Sequence, residues 1–170
     1  MQFHFEIVRS IFGNFFILDS KQGLHFILKF NDKKVNEIIK YYNPKKGLFN
    51  KSISNFFKNL SLGKKNSSKI KIKFLYGTNF QKIVWKQLLK IKYGTIISYS
   101  DLALQTPYPN AIRAVASAVG KNPISVIVPC HRVVRKDGFV GNYAWGTKMK
   151  KKLLDIEVCG MADSIYRGGK

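Results

Sequence analysis

The stretch Asn122-Pro123-Ile124-Ser125-Val126-Ile127-Val128-Pro129-Cys130-His131-Arg132-Val133 decides how the chain is read. Residues 124–128 form an apolar run of strand length, and Pro129 ends it because proline cannot donate to a ladder. Cys130 and His131 then stand just beyond the mouth of a buried strand. The thiolate is the reactive form of cysteine, and a neighbouring base or cation favours it. Cys130 is therefore a nucleophile candidate, with His131 as base and Arg132 as a cation beside the sulfur. The competing reading is a buried structural thiol, the commoner fate of a lone cysteine. Side chains adjacent in sequence diverge, so His131 is expected to reach Cys130 through a water, and a carboxylate is then needed to fix the imidazole tautomer. The other cysteine is Cys159. Neither has zinc-type spacing, so no disulfide scaffold, metal site or other cofactor is expected; Cys130 is read as reduced and free, Cys159 as structural or surface.

Upstream of this stretch, Gly120-Lys121 leads out of a helix expected from Ala111 to about Val119, which Asn110 can cap. Ser98-Tyr99-Ser100-Asp101 opens a shorter helix that Pro107 and Pro109 stop. Thr78-Asn79-Phe80-Gln81 has the spacing of a capping box, and Phe80, Ile83, Val84, Leu88 and Ile91 follow on one face, predicting a core helix that runs to just before Gly94. The two later helices make a helix-turn-helix candidate, although Thr106-Pro107-Tyr108-Pro109-Asn110 is proline-rich for such a turn. Ala111, Ala114, Ser117 and Ala118 would let the last helix approach another surface closely, and ordinary helix packing accounts for them equally well. Downstream comes a turn at Asp137-Gly138, then Gly141-Asn142-Tyr143-Ala144-Trp145-Gly146. A final helix follows, with Met149, Leu153 and Ile156 on its buried side and Glu157 close behind.

The first half is aromatic and β-branched. Residues 3–8, 15–18 and 24–30 read as three strands of an antiparallel meander, separated by Gly13-Asn14 and Gln22-Gly23. Val35, Ile38 and Ile39, then Ile53, Phe56, Phe57 and Leu60, recur at helical spacing on either side of Asn43-Pro44-Lys45-Lys46-Gly47. The alternation at 70–74 suggests one more strand with a wet face, and residues 63–68 a flexible surface loop. Thirty Lys and Arg against nine Asp and Glu give a formal charge of +21, a field that attracts polyanions, nucleic acid foremost. A nucleotide-composition bias would also produce the lysine excess. No apolar run approaches the ~20 residues of a membrane span, and the N-terminus has no leader pattern, so a soluble cytoplasmic protein without membrane attachment is expected.

Pro129-Cys130-His131-Arg132-Val133, preceded by Asn122-Pro123 and Arg113-Ala114-Val115, closely resembles the signature of O6-alkylguanine-DNA alkyltransferases. The likeness extends through Phe80-Gln81, Val84-Trp85, Tyr93-Gly94 and Ser98-Tyr99, and on through Gly141, Tyr143, Gly146, Leu153-Leu154 and Glu157, covering about residues 78 to 157. It implies an α/β (α+β) chain with a ribonuclease-H-like N-terminal domain at 1–75, built on a three-stranded antiparallel sheet. A mostly helical domain at 76–170 would follow, carrying a winged helix-turn-helix-like motif and the Pro-Cys-His-Arg-Val segment.

The resemblance implies roles residue by residue. Cys130 would accept the alkyl group, His131 would act as base through a bridging water, Glu157 would orient His131, and Asn122 would brace the turn ahead of the active-site strand. Tyr99, Val133, Tyr143, Ala144 and Trp145 would surround the base. Tyr99, Ala111, Arg113, Ala114, Ser117 and Lys121 would meet DNA, Arg113 filling the stack that the flipped base vacates and Tyr99 pressing on its phosphate. The partner would be double-stranded DNA carrying O6-alkylguanine, with O4-alkylthymine a second substrate, bound by a monomer able to assemble cooperatively. Trp145 stands where many members carry Gly, so the pocket mouth is expected to be narrow and selective for small alkyl groups.

Three other readings stay open at this stage. A lesion binder of the alkyltransferase-like kind shares the fold but lacks the acceptor cysteine, which Cys130 supplies here. A cysteine hydrolase on Cys130 and His131 would turn over continuously. A plain helix-turn-helix module would leave Cys130 incidental.

Overall fold

A computed structural model describes residues 1–62 and 69–158. The loop expected at 63–68 and Cys159 lie outside the described residues. Two units are present: Met1–Tyr76 joined by Pro123–Ser125, and Gly77–Asn122 joined by the chain from Val126 onward.

In the first unit β1 (Phe3–Ser10), β2 (Gly13–Ser20) and β3 (Gly23–Lys29) form the antiparallel meander. α1 spans Lys34–Tyr42 and α2 spans Ser52–Ser61. The basic break between these helices contributes a fourth strand, β4 (Lys45–Lys46), parallel to β1 at His4 and Phe5. Residues 15–18 of β2 are apolar without alternation because both faces of the strand are covered. Phe16 and Leu18 pack with Phe26, Leu28 and the α1 residues Val35 and Ile38. On the other face Phe15 stacks on Phe57 of α2 at 5.1 Å, and Asp19 accepts hydrogen bonds from the backbone of Phe49 (3.0 Å) and Asn50 (2.7 Å), fixing the approach to α2.

Two strands expected from sequence are shorter in the structure. The segment at 70–74 makes a single parallel bridge, Ile72 to Leu24, and is anchored by His25. The His25 Nδ1 donates to the Lys73 carbonyl at 2.9 Å, and since a carbonyl only accepts, Nε2 receives the Ser20 hydroxyl at 2.8 Å. The apolar run 124–128 is not one strand. Ile124 bridges Ile27, whose N–H donates to the Pro123 carbonyl at 2.9 Å, and the run then breaks at Val126, which holds a left-handed φ of 73°. A branched residue is strained there, and hydrophobicity alone cannot distinguish a buried turn from a buried strand.

The second unit contains α3 (Asn79–Leu88), β5 (Ile97–Ser98), α4 (Tyr99–Leu104), α5 (Ile112–Gly120), a 3-10 turn at Cys130–Arg132, β6 (Val133–Val134) parallel to β5, and α6 (Thr147–Val158). Thr78 and Ser98 cap α3 and α4 through reciprocal boxes with Gln81 and Asp101. α3 stops at Leu88 rather than near Gly94; one tighter turn, with the Ile91 N–H bonded to the Leu88 carbonyl, carries Ile91 to the buried side. Fully buried Trp85 locks α3 to α5, its Nε1–H donating to the Ala118 carbonyl at 2.8 Å. Its ring fills the space over Gly77, where φ is +98° and a Cβ would stand 2.5 Å from the indole, so only glycine fits.

The proline-rich link between α4 and α5 is ordered by Thr106, whose hydroxyl donates to the Ala103 carbonyl at 2.8 Å and accepts from the Tyr108 N–H at 3.1 Å. Asn110 does not cap α5; the link places Ala111 at the N-cap, with its N–H on the Tyr108 carbonyl, and alanine has no side-chain acceptor to offer the first turn. On α6 the buried residues are Lys150, Leu153, Leu154 and Glu157, while Met149 and Ile156 are half-buried, a rotation from the expected face. No helix among the described residues is long and apolar enough to cross a membrane.

Candidate active site

A cavity of about 920 Å³ opens in the second unit. α5 lines it with Ile112, Arg113, Ala116, Val119 and Gly120, and Tyr99, Cys130, Arg135 and Gly141 through Ala144 complete the wall. Cys130 is only 4% exposed yet belongs to that wall. The loop that delivers it is closed by Asn122, whose Nδ2 donates to the Val128 carbonyl at 2.9 Å and to the Cys130 Sγ at 3.1 Å. The Cys130 N–H bonds back to the Val128 carbonyl at 2.8 Å, so backbone and sulfur are positioned by the same short segment.

His131 is fully buried, and its Nε2 lies 2.9 Å from Glu157 Oε1. Arg132 completes the arrangement: its Nε donates to Glu157 Oε2 at 2.7 Å, its Nη2 to Oε1 at 2.9 Å, and its Nη1 to the Ile91 carbonyl at 2.7 Å. Burial opposes ionisation of Glu157, but the hydrogen bonds from His131 and Arg132, and their charge, outweigh it and hold the carboxyl at about 2. An ionised carboxylate only accepts, so His131 Nε2 must carry the proton, and in the neutral ring Nδ1 keeps its lone pair. His131 Nδ1 has no hydrogen-bond partner among the described residues. The ring is thus fixed in the tautomer that leaves a base free. Arg132, expected beside the sulfur, is instead committed to Glu157, because its planar fork matches a carboxylate.

Burial pushes the Cys130 thiol up, while the Asn122 hydrogen bond, Tyr143 and the Lys150 charge pull it down less strongly. Burial likewise lowers His131, against the opposing pull of Glu157. At rest near pH 7.5 the pair is therefore thiol and neutral imidazole rather than thiolate and imidazolium. The Tyr143 hydroxyl favours the thiolate electrostatically, although it makes no hydrogen bond of ordinary geometry among the described residues. Lys150 is a functional candidate the motifs did not reveal. It is 0% exposed, its Nζ donates to the carbonyls of Val133 (2.6 Å) and Val140 (2.5 Å), and it lies 5.7 Å over the Tyr99 ring. Burial lowers its pKa to about 8, and the charge of Cys130 opposes that shift. Helical spacing from Leu153, Leu154 and Glu157 is the signal that places Lys150 on the inner face.

The other candidates separate into wall, helix surface and interior. Tyr99, Tyr143 and Ala144 line the cavity, and burial followed by the charge of Cys130 raises the Tyr99 hydroxyl, keeping it protonated. Arg113, Ala114 and Ser117 are exposed on α5, Lys121 is exposed just after it, and Ala111 is half-buried. Val133 is buried outside the cavity wall. Trp145 is also buried, packs its ring 6.0 Å from that of Tyr143 and is not part of the cavity wall, unlike the narrow mouth its volume suggests.

Residues 79–159 match the family described as 6-O-methylguanine DNA methyltransferase, DNA binding domain. A probable methylated-DNA–protein-cysteine methyltransferase of Acanthamoeba polyphaga mimivirus is 53% identical over 49% of this chain and 55% of its own length. For this protein and its counterparts from Kluyveromyces lactis and Bacillus subtilis, the match spans about half of the relative's length. The methylated-DNA–protein-cysteine methyltransferase of Methanosarcina barkeri aligns almost end to end, 35% identical over 91% of this chain and 96% of its own. Among solved structures, a Mycobacterium tuberculosis O6-methylguanine methyltransferase superposes with a TM-score of 0.82 at 29% identity, covering 96% of this chain and 98% of that one. The same organism's protein in complex with DNA gives 0.80 at 30% identity over 94% of each chain. Fold and full-length likeness agree: the chain belongs to the methylated-DNA–protein-cysteine methyltransferase family.

Proposed function

We propose that this chain repairs DNA by moving an alkyl group from O6 of guanine, and from O4 of thymine, onto Cys130, once per molecule. The observation that carries this reading is the placement of the Cys130 thiol, hydrogen-bonded to Asn122, in the wall of a cavity bordered by the exposed face of α5, with a buried His131–Glu157 pair following it in the chain. A structure of the Mycobacterium tuberculosis relative with DNA supports DNA as the partner, and a charge of +21 suits it. No cofactor is needed, and the protein acts as a cytoplasmic monomer able to assemble cooperatively on DNA.

The O6 atom of a paired guanine lies inside the duplex, so the nucleotide must first rotate out, at roughly a few kcal/mol. Arg113 occupies the gap, its planar guanidinium stacking where the base stood, while Ala114 and Ser117 let α5 approach the minor groove. The thiol proton passes through a water to His131 Nδ1, and the imidazolium so formed is held by ionised Glu157. The sulfur then attacks the alkyl carbon. An S–C bond forms, the C–O6 bond breaks with its electron pair going to the purine, and the purine is neutralised by a proton returned from the imidazolium. Hydrogen bonds from Tyr99 and from the backbone around Tyr143 and Ala144 stabilise the charge on the departing base. The product is a thioether, which does not hydrolyse under mild conditions, so turnover stops.

A repair titration tests this. Lesions lost from O6-methylguanine duplex should rise with protein until they equal it, remain there at long times, and be absent with Cys130→Ala; O4-methylthymine should behave alike. Lesion loss well beyond the amount of protein would identify a hydrolase, and tight binding without loss a lesion binder. Either would end the proposal.

A further inference from the structure

A purine is uncharged, yet among the described residues two guanidinium groups and no carboxylate line the cavity. Arg113, exposed on α5, is accounted for by the vacated stack. Arg135 is not accounted for. It follows β6 directly and sits at the base of a tight turn closed by the Arg135 N–H to Phe139 carbonyl bond (3.0 Å) and the Gly138 N–H to Arg135 carbonyl bond (3.0 Å). Asp137 fixes the guanidinium. Its Oδ1 accepts from the Phe139 N–H at 3.1 Å, its Oδ2 accepts from Arg135 Nε at 3.1 Å, and the same Oδ2 forms an ion pair with Nη2 at 2.8 Å. Both contacts lie on the Nε–Nη2 edge of the fork, and among the described residues Nη1 makes no hydrogen bond, so its donors can meet a ligand. Gly141 provides the room for this placement: a Cβ there would stand 3.3 Å from Arg135 Cγ and 3.8 Å from the Tyr99 ring.

An Arg–Asp pair this exposed, 63% and 42% at the side chains, contributes little to folding. Its effect is to hold a cation in one orientation at the cavity wall. When a nucleotide enters such a cavity, the sugar and its flanking phosphates stay at the mouth, and each phosphate carries a full charge with oxygens that match a guanidinium. Resting on the base-flipping reading above, we propose that Arg135 binds a phosphate flanking the extruded nucleotide, so that the cavity recognises a nucleotide in a DNA backbone rather than a base alone.

Single-turnover transfer is measured from duplexes in which the phosphate on either side of O6-methylguanine is replaced, one at a time, by an uncharged methylphosphonate. For wild-type protein, one replacement should raise the half-saturating concentration about tenfold, the effect of removing one charged hydrogen bond. Arg135→Gln should show a similar loss on the native backbone, no further loss on the neutral one, and a logarithmic salt dependence shallower by about 0.9. A merely structural role for Arg135 would weaken binding to every backbone and leave the methylphosphonate penalty intact; that result overturns the inference alone. Wild-type protein that transfers nothing from the native duplex overturns the repair reading and this inference with it.

Discussion

Glu157→Gln tests the electrostatic centre of the site, and its magnitude follows from the geometry. The carboxylate accepts three hydrogen bonds, one from His131 and two from Arg132, and its pKa of about 2 compares with 4.5 for an ordinary glutamate. At about 1.4 kcal/mol per pH unit, that difference corresponds to ~3 kcal/mol favouring the ionised, folded state. A glutamine offers one acceptor oxygen and one amide donor. Whichever way it turns, its N–H₂ meets an N–H of His131 or Arg132, and if it donates to His131 Nε2 it forces the proton onto Nδ1 and removes the base. The sign is fixed by the lowered pKa. Wild-type protein keeps this stabilisation above pH 4.5 and loses it as pH falls through 4.5 towards 2, whereas the variant has nothing to titrate. Urea unfolding followed by tryptophan fluorescence reads this unit, since Trp85 and Trp145 both lie in it. The wild-type advantage should be ~3 kcal/mol at pH 6 and shrink steadily as pH drops towards 3. A difference that stays constant across that range would mean that Glu157 acts by packing alone, and the argument for its ionised role would be wrong.

Asn122→Ala removes one of the two hydrogen bonds on the buried Val128 carbonyl, which keeps the Cys130 N–H, expected at ~0.5–1.5 kcal/mol of stability, and pushes the Cys130 thiol further up. The pH profile of iodoacetamide labelling at Cys130 should move to higher pH, and an unmoved profile would separate Asn122 from the sulfur. Arg113→Ala should slow transfer from duplex DNA about 10- to 100-fold, the value of one lost stacking partner, and affect the free base O6-methylguanine far less. Equal losses on both would contradict a role in base extrusion. In the first unit, burial lowers the pKa of His25 from 6.5 despite its Lys73 hydrogen bond. The folded state therefore resists protonation, and stability present above pH 6.5 is lost as pH falls below it. Hydrogen exchange in β2 and β3 should quicken between pH 6.5 and 5 beyond its intrinsic dependence, and should not do so in His25→Asn.

Local rules were the legible part of this sequence. The caps at Thr78 and Ser98 are readable because a capping box lies within four residues, and the meander because aromatic and β-branched runs and the turn residues between them are equally local. The pairing of His131 with Glu157 is not readable from spacing, since 26 residues separate them; only the family resemblance implies it. Lys150 was hidden among Lys148, Lys151 and Lys152; a lysine reads as solvated unless helical phase is taken seriously. The Val126 turn was hidden for the opposite reason, since a branched apolar residue carries no sign that it will hold a positive φ. Trp145 illustrates a third failure. Its volume was legible, but whether a large ring faces a cavity or the interior depends on partners such as Tyr143 that no local pattern specifies.

The most direct measurement of the central claim is the mass of the peptide containing Cys130 after incubation with excess O6-methylguanine duplex. It should gain one methyl group in place of the thiol hydrogen, on that residue, in every protein molecule and no more than once. Restored guanine in the DNA alongside an unmodified Cys130 would contradict the account.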